Sequence, residues 1–441
     1  MIKKFIVFVL IILMFGLSGC KSASEPDPVP TPPEPEIEPP IWPPATESEN
    51  IWSWPAEDTG EKLHQFWSFP LGVAVPGANT TNASNNNALD TTNPQYQFLK
   101  HFNVVVAENE MKPANMMPSS ASGTYGRKTN ADKLVSYAKA TNKKIRGHVL
   151  IWHDSTPGWF FPSTSYGDGA KRKEKLYENM ERHIKAVFEH FGGTIDSWDV
   201  CNEVVDQDDR TNGGARKDSS YTKIMEAAGL TGINRYEYVV KAFEWARKYA
   251  DANGGQNVKL FLTDFGVERR FPDTPEDQKS KIDIFADLVD YLIEKNAPID
   301  GVGFQGHFRL YDHPVDQISD GIDRFAAKTR NDGKKLIIQV CELDFSVFSN
   351  AKNENNTTTI ANENLNERLT DLADNYLAYF NMFEQKYKEG KLDMVLIWGI
   401  DDGHSWLNAH PVSGRTDYPL LFDRNYQPKK AFNKLKDGPT L

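Results

Sequence analysis

Two glutamates in this chain stand where a buried strand has no structural need of them. In DSWDVCNEVVDQ (196–207), Trp198 to Cys201 read as a core strand, and Asn202 and Glu203 follow with no basic residue close in sequence. In LIIQVCELDFS (336–346), Glu342 ends a second apolar run. A carboxylate at a strand end can cap the next helix, but no helical pattern follows either glutamate at once. Two such carboxylates can divide labour. One keeps a proton for a leaving oxygen, and the other stays ionised to attack or to activate water.

Other polar residues gather in the same way, after apolar runs rather than before them. NVVVA (103–107) is followed by Glu108, Asn109 and Lys112; KIRGHVLIW (144–152) carries His148 and Trp152 and leads to His153. GVGFQ (301–305) ends on Gln305, with His307 just beyond. Asp344 follows Glu342, and MVLIW (394–398) ends on Trp398 and leads to Asp401, Asp402 and Trp406. Taken singly, each histidine could be an ordinary core or surface residue. Their convergence on one end of the runs is what points to a site.

The elements that must hold these residues follow from the runs. With LGVAV (71–75), SWDVC (197–201), KLFLT (259–263) and KLIIQV (335–340) they are rich in β-branched or aromatic residues and lack clean alternation, as parallel strands covered on both faces do. Between them lie helical patterns at 94–101, 130–141, 171–191, 236–250, 275–295, 314–330 and 364–388. Leu176, Met180, Ile184, Val187 and Phe191 show the spacing. Strands alternating with helices predict an α/β fold, a (β/α)8 barrel, whose chemistry sits at the C-terminal strand ends. A doubly wound open sheet is the second choice.

The chain has 441 residues, a net charge of -11 and ten tryptophans. Without a basic face, no nucleic-acid partner is expected. No metal or cofactor is expected either. There is no His-x-His pair and no zinc spacing. GVGFQG (301–306) matches G-x-G-x-x-G, but HFRLYDHP behind it opens no helix. G-x-S-x-G is absent. What remains is a carboxylate pair among Trp, Asn, Gln, His and Lys, the combination glycoside hydrolysis needs. Tryptophan faces bind sugar rings and the polar groups read hydroxyls.

The N-terminal segment reads differently. Lys3 and Lys4 precede FIVFVLIILMF (5–15), too short to span a membrane and suited to a signal peptide; LSGC (17–20) resembles a bacterial lipobox with Cys20 as the lipidated residue. Residues 22–49 are rich in proline and acids and read as a tether. The expected organisation is a signal peptide (1–19), lipid-anchor Cys20 and tether (20–49), and a catalytic domain (50–441), exported and anchored at the outer membrane or cell surface as a monomer. Cys201 and Cys341 are expected to be free, buried thiols.

FNVVVAENEMK (102–112), RGHVLIWH (146–153), WDVCNE (198–203), GVGFQGHF (301–308), CELDF (341–345) and WGIDDGHSW (398–406) together resemble family 10 glycoside hydrolases, the (β/α)8 endo-β-1,4-xylanases, in the family's order. The likeness runs from about Phe69 to Phe432. It implies Glu203 as acid/base, Glu342 as nucleophile and Asn202 on the 2-hydroxyl beside the scissile bond. It implies His307 tuning Glu342, with Gln305 beside it. Glu108, Asn109, Lys112, His148 and Trp152 would bind sugars on the non-reducing side, walled by Trp398 and Trp406. It implies cleavage of xylan or xylo-oligosaccharides with retention, for which carboxyls stand ~5–5.5 Å apart. Three stretches depart from the family: TDFG (263–266), Cys341 before the nucleophile, and MKP (111–113). The polar stretch 350–366 is expected to shape a cleft wall. Two rivals stay open: a binding protein without catalysis, and a hydrolase of another β-glycan.

Overall fold

A computed structural model describes residues 54–55, 59–77, 87–123, 125 and 129–440. The signal, lipobox and tether readings therefore lie outside the described residues. The strands are β1 (Leu71–Val75), β2 (Val104–Ala107), β3 (Lys144–Gly147), β4 (Ile151–Trp152), β5 (Ser197–Asn202), β6 (Lys259–Asp264), β7 (Gly301–Phe304), β8 (His307–Arg309), β9 (Ile337–Ser346) and β10 (Leu392–Ile397). Eight of them pair in parallel as β1-β2-β3-β5-β6-β7-β9-β10, and β10 closes the ring on β1. β4 pairs beside β5 at the rim and β8 beside β9. The fold is a closed (β/α)8 barrel.

Helices α1 (Pro113–Met116), α2 (Thr129–Ala140), α3 (Gly169–Phe191), α4 (Ser220–Ala227), α5 (Glu237–Ala252), α6 (Lys281–Glu294), α7 (Val315–Ala326), α8 (Asn362–Lys388) and α9 (Lys430–Leu435) complete it. α3 shows why such segments form. Asp168 accepts the Lys171 amide at 2.9 Å as N-cap, and Leu176, Met180, Ile184 and Val187 are buried on one face. Gly192 ends it at φ +53°, where a side chain would be strained.

Residue alternation sorts the barrel strands. Val73, Val105 and Ile397 join the large core between barrel and helices, whereas Ala74, Val104, Val106, Met394, Leu396 and Trp398 form a separate cluster. On the β3, β5, β6 and β9 side, the residues alternating with core-facing Ile145, Trp198, Leu262 and Ile338 are polar: Arg146, Asp199, Thr263 and Gln339, all buried. The Arg146 guanidinium pairs with Asp199 and donates through Nε to Gln339 at 3.0 Å. Asp199 also takes the Thr263 hydroxyl. This bonded polar half floors the site.

Four expectations are corrected. The run 144–152 is two strands, because the chain leaves the sheet after Gly147 and Leu150 bonds across to the Asp199 carbonyl at 2.9 Å. The run 335–340 starts later and continues to Ser346, so Glu342 lies within a strand rather than at its end. The helix expected at 275–295 begins only at Lys281, where Ser280 and Asp283 form a capping box. Residues 94–101 form a 3-10 helix, and α4 had no expectation at all. Cys201 and Cys341 are free and buried, as expected, and burial pushes both thiols up.

Candidate active site

Glu203 is the residue at which β5 stops being a strand. Its φ is +55°, in the left-handed region that a non-glycine residue enters at a cost of about 1–3 kcal/mol. The surroundings hold it there. Its amide donates to the Thr263 carbonyl at 2.9 Å, and its carbonyl accepts from Arg216 Nε at 2.7 Å. The turn sends the carboxyl into the barrel mouth, where Gln305 Nε2 donates to Oε1 at 2.9 Å. Gln305 Nε2 also reaches Asn202 Oδ1 at 3.2 Å, and the Gln305 carbonyl accepts the Glu342 amide at 2.8 Å. One residue thus ties the two carboxylate-bearing strands together.

Glu342 sits among charges. His307 Nε2 donates to its Oε2 at 3.2 Å, and His307 Nδ1 donates to Asp344 at 3.0 Å. Trp406 Nε1 donates to the same Asp344 oxygen at 2.8 Å. Burial works against a charged His307, but the Asp344 carboxylate and the bonds to Asp344 and Glu342 lift the ring to about 10. Burial likewise raises the Glu342 carboxyl, yet the His307 bond and the charges of His148 and His307 outweigh it and bring it below the ordinary value. His148 lies 4.0 Å from Oε1 and is itself held by Asp199 at 2.8 Å. Oε1 is buried and carries no hydrogen bond. Glu342 is therefore an ionised carboxylate with one oxygen fixed and the other uncommitted.

All twelve residues expected to catalyse or bind sugars line one cleft of about 1170 Å³. Lys112 Nζ donates to Asn109 Oδ1 at 2.9 Å and lies 5.2 Å from the Trp152 ring centre. The His148 ring is 5.4 Å from that of Trp398, and His307 is 4.8 Å from Trp406. Glu108 is partly exposed. Burial still pushes its carboxyl to about 7 against the charge of Lys112.

Other lining residues had no expectation attached. Arg216, Arg269, Phe271 and Tyr311 come from loops without periodicity. Of the polar stretch 350–366, only Asn350 and Ala351 reach the cleft. At the departure TDFG, Thr263 joins the buried polar floor, and Phe265, 40 % exposed, lines the cleft with Lys281 Nζ 3.4 Å from its ring centre. Cys341 donates to the Phe304 carbonyl at 3.2 Å, and Pro113 opens α1. Among the described residues no His, Cys, Asp or Glu cluster could hold a metal ion.

A (β/α)8 barrel with two carboxylates over an aromatic-walled cleft is the architecture of a barrel glycoside hydrolase. Residues 72–438 match the model of glycosyl hydrolase family 10, and the chain belongs to that family. It is similar to the thermostable celloxylanase of Thermoclostridium stercorarium, 35% identical over 385 residues, 85% of this chain and 86% of that protein. Endo-1,4-beta-xylanase C of Paenibacillus barcinonensis is 33% identical over 387 residues, 87% of this chain but only 32% of that longer protein. A solved structure of GH10 from Paenibacillus barcinonensis superposes with a TM-score of 0.70 at 32% identity, covering 87% of this chain and 99% of that one.

Proposed function

We propose that this protein is a retaining endo-β-1,4-xylanase with Glu342 as nucleophile and Glu203 as acid/base. The observation that carries the assignment is the difference between the two carboxyls. Glu342 is bonded to a charged imidazole, whereas Glu203 is bonded to neutral amides. An ionised Glu342 with a free Oε1 is equipped to attack the anomeric carbon. As the bond to the leaving oxygen breaks, Glu203 gives that oxygen its proton, and afterwards takes one from the water that releases the sugar. Asn202, fixed by Gln305, is placed for the hydroxyl next to the broken bond. Glu108, Asn109, Lys112, His148 and Trp152 bind the non-reducing side, with Trp398 and Trp406 as walls. Cys20 anchors the mature chain to a membrane, a reading supported by LSGC (17–20).

The relatives named xylanase support the substrate. One named celloxylanase gives a second reading, in which glucans are also cut. Incubation with xylan and with mixed-linkage glucan, followed by sizing of the products, separates them. Mixed short xylo-oligosaccharides early in the reaction are expected. Glucan cleaved at equal or better kcat/KM would overturn the xylan assignment, and no cleavage of either would favour a binding protein.

A further inference from the structure

Arginines line the cleft although a neutral polymer offers them no counter-charge. Elsewhere in the molecule Arg235, Arg330 and Arg368 hold carboxylates. Arg216, Arg269 and Arg309, which line the cleft, hydrogen-bond to neutral acceptors, as Arg182 and Arg415 do elsewhere. Arg216 comes no nearer than 4.0 Å to Asp218. Arg269 donates to the carbonyls of Arg270 and Asp312 and to Gln317, and its Nε is buried without a partner. Arg309 spends Nη1 on the amide oxygens of Asn350 and Asn355. Its Nε and Nη2 have no bond among the described residues, and neither atom is buried. That edge is one through which a guanidinium grips a carboxylate with two parallel bonds.

The position of Arg309 narrows what could bind there. It ends β8, which continues from β7, four places round the ring from β2 and its Glu108, Asn109 and Lys112. If β2 serves the non-reducing side, the 309–313 loop serves the leaving side. Tyr311 beside it is 40 % exposed, is fixed at φ +74° and gives its hydroxyl to Asp371. It lines the cleft, and Lys352 Nζ lies 4.3 Å from its ring centre. The nearby acids are engaged: Glu268 accepts the Gly306 amide, and Asp312 accepts Ser349 and the amides of Asn350 and Ala351. Asp154 and Asp273 are the remaining lining acids on the loops. Burial, with a smaller contribution from the charge of Arg269 and against the charge of Asp312, holds His313 down to about 4.

We propose that Arg309 receives the carboxylate of a uronic acid branch carried by the xylan chain on the leaving side of the scissile bond. The proposal rests on the xylanase reading. It makes Arg309 a specificity residue, one that never touches the reacting atoms.

The test compares kcat/KM for a xylo-oligosaccharide bearing one uronic acid branch with that for the unbranched oligosaccharide of the same backbone length. Wild type, Arg309→Gln and Arg309→Lys are measured. The ratio, branched over unbranched, is expected to fall roughly 10–100-fold in Arg309→Gln, the range for a lost hydrogen-bonded charge contact. Arg309→Lys should keep part of it, having charge without the fork. Added salt should narrow the wild-type preference. A ratio unchanged in Arg309→Gln overturns the proposal. If both rates fall together, Arg309 is only a clamp for the loop at Asn350 and Asn355. If wild type cleaves neither compound, the xylanase reading falls and takes this proposal with it.

Discussion

At the scale of single residues, the site works by giving two like side chains unlike neighbours. His307 spends its charge on Glu342 and Asp344, which equips Glu342 to attack rather than to donate a proton. Glu342→Ala is expected to abolish cleavage of every substrate. Glu203→Ala should discriminate by leaving group. A xylo-oligosaccharide leaves as a poor alkoxide and needs the proton, while an acidic phenol does not. On an aryl xyloside the glycosyl-enzyme should accumulate, with the second step slowed ~10²–10⁴-fold and rescued by azide as the β-azide. Proton NMR should show the β-anomer first. An α-anomer first, or equal loss on aryl and natural substrates, would reverse the roles. Glu108 makes a separate prediction. Its carboxyl is raised from 4.5 to about 7, so the stability it contributes is full below 4.5 and is lost as pH rises through 7. Glu108→Gln should remove that decline, so the Tm of the variant minus that of wild type should grow from pH 4.5 to above pH 7. A flat difference would mean that Glu108 keeps an ordinary carboxyl.

At the scale of elements, strands were legible and their interruptions were not. Runs such as LGVAV and KLFLT announce themselves because both faces are covered. KIRGHVLIW reads as one run in the sequence, and only the cross-strand bond from Leu150 to Asp199 reveals that it breaks. The carboxylates and the polar residues around them were legible because each ends or follows an apolar run of the sequence. The polar floor was not, since Arg146, Asp199, Thr263 and Gln339 come from four strands and meet only when the ring closes. Arg216 and Arg269 in the cleft stayed hidden for a related reason: loops carry no period. The floor yields its own prediction. Asp199→Ala leaves the Arg146 charge buried without its partner and releases His148. It should cost about 3–5 kcal/mol in urea unfolding, the range for a broken buried ion pair, and should lower kcat as well. Loss of kcat at unchanged stability would mean that Asp199 only orients His148.

At the scale of the whole molecule, the question is where the working part begins. Trp54 is already part of the barrel's packing: its Nε1 donates to Ser136 at 3.3 Å, and its ring lies 5.2 Å from that of Tyr137. Residues 21–47 are rich in proline and acids and poor in the apolar side chains a core requires. Deleting them should leave both Tm and activity on soluble xylo-oligosaccharides unchanged. Extending the deletion through Trp54 should lower Tm, because the indole would be removed from Tyr96 and Tyr137. The anchor is tested independently of the barrel. Replacing Cys20 by Ser should move the protein from the membrane fraction to the soluble exported fraction, with its specific activity intact. A shortened protein that unfolds or loses activity would show that the proline-rich segment belongs to the catalytic unit. A Cys20→Ser protein still found in the membrane fraction would show that something other than a lipidated cysteine holds it there.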